Sequence, residues 1–150
     1  MAATRPVHQT NAPVLLFAGS TMKLHLTGEQ TGGAFCLLES VMPPGHCTPV
    51  HVHDDEEEAF LVLEGQLDVT IGAETITVRA GESALAPRGI PHQLCNTTGH
   101  PVRGIVIATP AGFDAFVQAA GVPASDAAMP PVSPERLATL AAEFGIRIPA

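Results

Sequence analysis

Seven histidines occur in the 150 residues, and three of them stand where an acid could join them. His51 and His53 are two apart, so in a strand both imidazoles lie on one face, because side chains alternate with period two. Glu58 opens the run EAFLVLE, in which Glu58, Phe60 and Val62 share a face. His92 lies far downstream, just before QLCN. Three neutral imidazoles and one carboxylate that converge would hold a divalent transition-metal ion and leave it a residual positive charge. An octahedral ion would keep two positions open for water, substrate or dioxygen, which is the logic of a catalytic centre and not of a closed structural one. An HxH pair also occurs as a satisfied surface or core pair, and the acidic run Asp54-Asp55-Glu56-Glu57-Glu58 would ordinarily be a solvated loop. Spacing alone leaves both readings open.

Short β-type runs alternate with turns up to Pro110 and would have to position these side chains. Residues 21–27, 34–42, 58–64, 66–71, 74–80, 93–96 and 102–109 read as strands, separated by glycine-rich turns such as Thr31-Gly32-Gly33 and Pro43-Pro44-Gly45. Many short strands at this spacing predict an antiparallel sandwich or small barrel. An inward stripe of Phe35, Leu37, Phe60, Val62 and Leu94, with Met42, is expected. After Pro110 the pattern turns helical, over 112–121 and again from Ser133, with Ser133 as cap, Pro134 in the first turn and Gly145 at the end. Helices of about ten residues are marginal alone in water. Phe113, Phe116, Leu137, Leu140 and Phe144 are therefore expected to pack on the outer barrel surface, of the same chain or of a partner, with loop 122–132 either bordering the mouth or serving only as a stabilising flap.

Composition narrows the function classes. Hydrophobic residues make up 45% and charged residues 15%, which excludes wholesale disorder and a coiled coil. The length allows one domain, read as a β-barrel over 1–110 with a helical tail over 111–150. A net charge of −8 leaves no basic face for nucleic acid and disfavours an anionic membrane surface. Three cysteines, with no CxxC, argue against a disulfide framework or a thiolate zinc site. Cys95 is expected to pack between sheets, and Cys47 lacks the activating base a nucleophile needs. MAATRPVHQT has no apolar core, so no signal peptide is expected, and a cytoplasmic protein with reduced thiols follows. His8, His25 and His100 lack evident partners, and His46 is expected to be a surface residue beside the HxH segment.

Two segments carry a family resemblance. Gly45, five residues, His51-Val52-His53, four residues, Glu58, six residues, Gly65 resembles the first cupin motif. Gly81, five residues, Pro87-Arg88-Gly89, two residues, His92, three residues, Asn96 resembles the second. This register selects Glu58 among the five acids and leaves Asp54, Asp55, Glu56 and Glu57 as a solvated turn. The flanking segments TGGAFCLLESVMPPG and PAGFDAFVQAAG, and the close from Leu137 to Ile146, are similar to single-domain cupins of the quercetin-dioxygenase-like group.

The resemblance implies an all-β double-stranded β-helix (jelly-roll) barrel with a short helical tail, often a homodimer. It implies His51, His53, Glu58 and His92 as ligands of one divalent ion per chain, whether Fe, Mn, Co, Ni, Cu or Zn. Glu58 is then also a base toward a bound small-molecule substrate. The expected activity is a quercetinase-like dioxygenation of a small aromatic or enol-type substrate, with dioxygen as co-substrate. A metal-dependent isomerase, cyclase or decarboxylase of secondary metabolism, or a non-catalytic binding barrel, stands as the alternative, because fold alone does not fix function.

Overall fold

The computed structural model describes residues 5–125 and 130–149. In chain order the elements are β1 (Val14–Phe17), β2 (Ser20–Leu26), α1 (Gly28–Thr31), β3 (Cys36–Met42), β4 (Val52–His53), β5 (Glu57–Glu64), β6 (Gln66–Ile71), β7 (Glu74–Arg79), β8 (Ser83–Ala86), β9 (His92–Cys95), β10 (Val102–Thr109), α2 (Phe113–Ala120), β11 (Val122–Pro123), α3 (Pro134–Glu143) and β12 (Ile146–Arg147). A seven-stranded antiparallel sheet runs β11-β1-β2-β3-β10-β5-β8. A three-stranded sheet β7-β6-β9 and the pair β12-β4 form the other layer. They are joined where His51 bridges His92 and Cys47 bridges Cys95.

Period-two alternation builds the core between the layers. Glu58, Phe60 and Val62 of β5 point inward while Leu61 is exposed, and Leu67 and Val69 of β6 face them across the interior. The β5–β6 turn requires Gly65: its φ is +86°, and a Cβ there would meet the backbone oxygen of Pro101 at 3.0 Å.

The inward stripe of β3 is displaced by one residue from the expectation. Cys36, Leu38 and Met42 are buried, whereas Phe35 and Leu37 are only half-buried. Pairing of Leu37 with Ile107 and of Leu38 with Val106 fixes that register, and a one-residue slip exchanges the two faces.

The tail is woven into both layers. β11 extends the large sheet beside β1, and β12 pairs with β4, setting Ile146 opposite His53. Arg147 donates to the Asp54 carboxylate at 2.8 and 3.0 Å across that pair. Ser133 caps α3 as expected, its Oγ accepting from the Arg136 N–H at 3.2 Å. The expected packing on the outer surface is corrected. Phe113 and Phe116 are buried, and their rings lie 5.9 and 5.1 Å, edge to face, from Phe17 on the inner side. Of loop 122–132, residues 126–129 lie outside the described residues.

The expectation of reduced thiols is overturned by the pairing of Cys47 with Cys95, 48 residues apart. They face each other between two backbone hydrogen bonds, Thr48 N–H to Leu94 O and Asn96 N–H to His46 O. In such a non-hydrogen-bonded pair the two Cα atoms approach most closely, here 4.1 Å. Cys95 thus faces its partner outside the core and does not pack between sheets. Cys36 is free and buried. Alkylation of the denatured protein without reductant is expected to modify Cys36 alone, by intact mass, and modification of all three cysteines would contradict the pairing. Closing so long a loop contributes on the order of 2–4 kcal/mol to stability.

Among the described residues no helix is long and apolar enough to cross a membrane.

Candidate metal centre

His53 lies on β4 and Glu58 on β5, and the turn between them reverses the chain so that both side chains enter the barrel. His51 precedes β4 and exchanges two backbone hydrogen bonds with His92 of β9, at 3.0 and 2.9 Å. The fixed positions of the two sequence motifs bond to one another. Gly45 N–H donates to Asn96 O at 2.9 Å, and Gly89 N–H donates to His53 O at 2.8 Å. The Asn96 side chain is buried and donates to His100 O at 2.7 Å and Met42 O at 3.2 Å, bracing the loop that leads to His51.

Each of His51, His53, Glu58 and His92 offers one donor atom, and these atoms all lie within 4.8 Å of one another. Glu58 Oε2 is 2.9 Å from His53 Nε2 and 3.1 Å from His92 Nε2. Neighbouring ligands on one first-row ion, each about 2.0–2.2 Å from it, stand about 3 Å apart. The opposite ring nitrogens are tied back. His51 Nδ1 lies 2.8 Å from Pro49 O, His92 Nδ1 3.3 Å from Ile90 O, and His53 Nδ1 2.6 Å from Glu56 Oε1. Those acceptors place the proton on Nδ1 and turn Nε2 toward the cluster, as metal-binding histidines require. His53 Nε2 is buried and faces the cluster, where Glu58 Oε2 is its neighbour. The four residues fit a divalent transition-metal ion.

Electrostatics favour the same assignment. Burial lowers the His51 imidazole to about 4, with the neighbouring His92 adding to the effect. Burial also opposes charge on His53, but the Glu58 and Glu56 carboxylates outweigh it and push this imidazole up to about 10. Burial disfavours the Glu58 anion, and His53 and His92 reverse this, holding its carboxyl well below the usual range. In metal-free protein at neutral pH, His51 is therefore neutral, Glu58 ionised and His53 protonated. Metal loading must displace the His53 proton. Calorimetric titration near neutral pH is expected to show net proton release on metal binding, because the ion must displace the His53 proton. Affinity should weaken as the pH is lowered from about 10 toward neutral, as the His53 proton competes with the ion. Heats independent of buffer ionisation would contradict it.

The cluster opens onto an apolar cavity. Phe60, Leu94, Phe113, Phe116 and Leu137 line it with Met22 and Met42. Among the described residues its polar side chains are Ser20, Ser40, Thr48, His51 and Glu58, and no Lys or Arg reaches it.

Three positions differ from the sequence reading. Glu56 is not in a solvated turn: it is 5% exposed and bonded to His53 and to the Phe113 N–H. Nothing in the run of five acids distinguishes it locally, since its second partner is 57 residues away. His25 has a partner, Glu39, at 3.3 Å. His46 is half-buried against Gly19 and is not a free surface residue.

Residues 38–108 match the family model of the cupin domain. The chain belongs to the cupin family. Over 132 residues this cupin is 30% identical to quercetin 2,3-dioxygenase of Bacillus subtilis, an alignment that covers 85% of the chain but 39% of the dioxygenase. Its structure is similar to the polyketide cyclase RemF of Streptomyces resistomycificus, with a TM-score of 0.60 and 26% identity over 71% of this chain and 79% of that one. It is also similar to a cupin sugar phosphate isomerase of Silicibacter pomeroyi, with a TM-score of 0.53 and 25% identity over 63% of this chain and 61% of that one.

Proposed function

We propose that this cupin is a metal-dependent dioxygenase acting on a small, uncharged, largely apolar substrate with an enol or phenolic hydroxyl. The observation that carries the reading is the His51–His53–Glu58–His92 cluster at the wall of a cavity otherwise lined by apolar side chains. Bound there, a divalent ion supplies Lewis acidity that lowers the pKa of a substrate hydroxyl. Glu58 holds the proton that leaves that hydroxyl, and its carboxylate is kept ionised for the task by His53 and His92. The rings of Phe60, Phe113 and Phe116 receive the flat apolar part of the substrate and exclude water around the reacting edge. Ser20, Ser40 and Thr48 offer neutral hydroxyls to its remaining oxygens.

With no Lys or Arg along the described wall, a phosphate or dicarboxylate would lose its hydration without a counter-cation from the protein. That argues against a sugar phosphate as substrate, despite the likeness to the isomerase. The likeness to the cyclase, at the higher TM-score, favours a second reading in which the same ion and the same Glu58 serve a cyclisation or isomerisation without oxygen. An oxygen electrode separates the two, with metal-reconstituted protein and a panel of flavonols and polyphenols. Stoichiometric oxygen uptake with ring-opened product is expected. Equal turnover under nitrogen supports the cyclase reading, and ligand binding without turnover contradicts both.

A further inference from the structure

We propose that Glu56 is a positioning residue that orients His53 for the metal ion and ties the seating of α2 to the metal centre. This rests on the metal-centre reading above. Glu56 is 5% exposed, and its two oxygens meet two different donors. Oε1 lies 2.6 Å from His53 Nδ1, and Oε2 accepts from the Phe113 N–H at 3.1 Å. An ionised carboxylate only accepts, so His53 donates from Nδ1 and its Nε2 faces His51, Glu58 and His92. That Nε2 is buried and lies 2.9 Å from Glu58 Oε2 within the cluster. The other two ligand imidazoles lean on backbone carbonyls, of Pro49 and Ile90, whereas His53 alone leans on a carboxylate. A charge-assisted bond of this kind holds the ring more firmly and makes it a better electron donor.

The second oxygen does a different job. Phe113 opens α2, and Gly112 before it has no side chain to cap the helix. Glu56 supplies the missing acceptor from the turn between β4 and β5, and a Cβ on Gly112 would lie 3.3 Å from its Oε2. One side chain thus spans the ligand and the element whose Phe113 and Phe116 wall the cavity. Releasing α2 frees Oε2 and loosens His53, and by linkage an ion that fixes His53 tightens α2 to the same degree.

Glu56→Gln tests this because glutamine keeps the shape but has one acceptor oxygen. Its amide must set an N–H against either His53 Nδ1 or the Phe113 N–H. Glu56→Asp keeps both acceptors on a shorter stem. The expected result is a Co2+ or Zn2+ Kd roughly 10- to 100-fold weaker for Glu56→Gln, with part of the loss recovered in Glu56→Asp. In Co2+-loaded wild type, the shifted Nδ1–H resonance of His53 should be present in H2O, and it should move or broaden in Glu56→Gln. Amide exchange at Phe113 and along α2 should slow on Co2+ loading of wild type and respond less in Glu56→Gln. A Kd within twofold of wild type with the His53 resonance unchanged overturns the role of Glu56, as does a lowered melting temperature with both readouts unchanged. Wild type that binds neither ion overturns the metal-centre reading itself, a result distinct from the other two.

Discussion

His92→Ala is expected to remove stoichiometric metal binding while leaving the barrel folded. His92 is 2% exposed, its Nε2 stands 3.1 Å from Glu58 Oε2, and its backbone pairs with His51 through bonds that alanine keeps. The substitution therefore deletes one ligand without unpairing the strand. Loss of an outer hydrogen-bond partner weakens a metal site by roughly 10- to 100-fold, and loss of a ligand should exceed that range. Dialysis followed by elemental analysis reads the effect, and the melting curve of the metal-free protein controls for folding. His25→Ala, which removes a half-buried pair with Glu39 outside the cluster, should bind metal normally. A full equivalent of metal retained by dialysed His92→Ala would make the ligand assignment wrong.

Glu58→Gln carries the second large effect. It keeps the volume of the side chain but removes a negative charge and a base from a position 3% exposed beside two imidazoles. Activity is expected to fall by roughly 10²–10⁴, the scale for removing a general base, with metal occupancy falling less. Glu57→Gln is the matched control. Glu57 points to the other face of β5 and lies 3.4 Å from Arg88 in an exposed pair, an interaction worth little. Its replacement should leave turnover nearly unchanged. Equal losses in the two variants would contradict the register that turns Glu58 inward.

The parts of this cupin legible in the sequence are those in which side-chain type and spacing are both constrained. An HxH pair, an acid on the next strand and glycines at the turns follow from ligand geometry and from positive φ. His51, His53, Glu58 and His92 accordingly come together as the motifs imply. The face of β3 was not legible, because Phe35, Cys36, Leu37 and Leu38 are all apolar and alternation then has no polar partner to set its phase. Pairing with β10 decides it, and that is a contact between residues sixty or more positions apart. The disulfide was hidden for a similar reason: only the antiparallel approach of the segment before β4 to β9 brings Cys47 to Cys95. Two-residue strands such as β4, β11 and β12 have no period to read. Glu56 is the plainest case. It resembles its four acidic neighbours in every local respect, and its burial depends on where His53 and Phe113 arrive in three dimensions.

The tail shows how packing overrides a reading from amphipathicity. Apolar faces on α2 and α3 demanded a partner, and the outer barrel surface, of this chain or of a second copy, was the expected one. The chain places Phe113 and Phe116 against Phe17 at the cavity, with Leu137, Ile146 and Ile148 along its wall. Helical periodicity gives the face of a helix but not the surface that receives it.

The central claim is that four side chains from β4, β5, β9 and the segment before β4 hold one ion at the cavity wall. Anomalous diffraction from a crystal of the Co2+-loaded protein tests it most directly. The account predicts a single strong peak per chain, about 2.0–2.2 Å from the Nε2 atoms of His51, His53 and His92 and from a Glu58 oxygen. No peak among these four residues, or a peak held by other side chains, would contradict it.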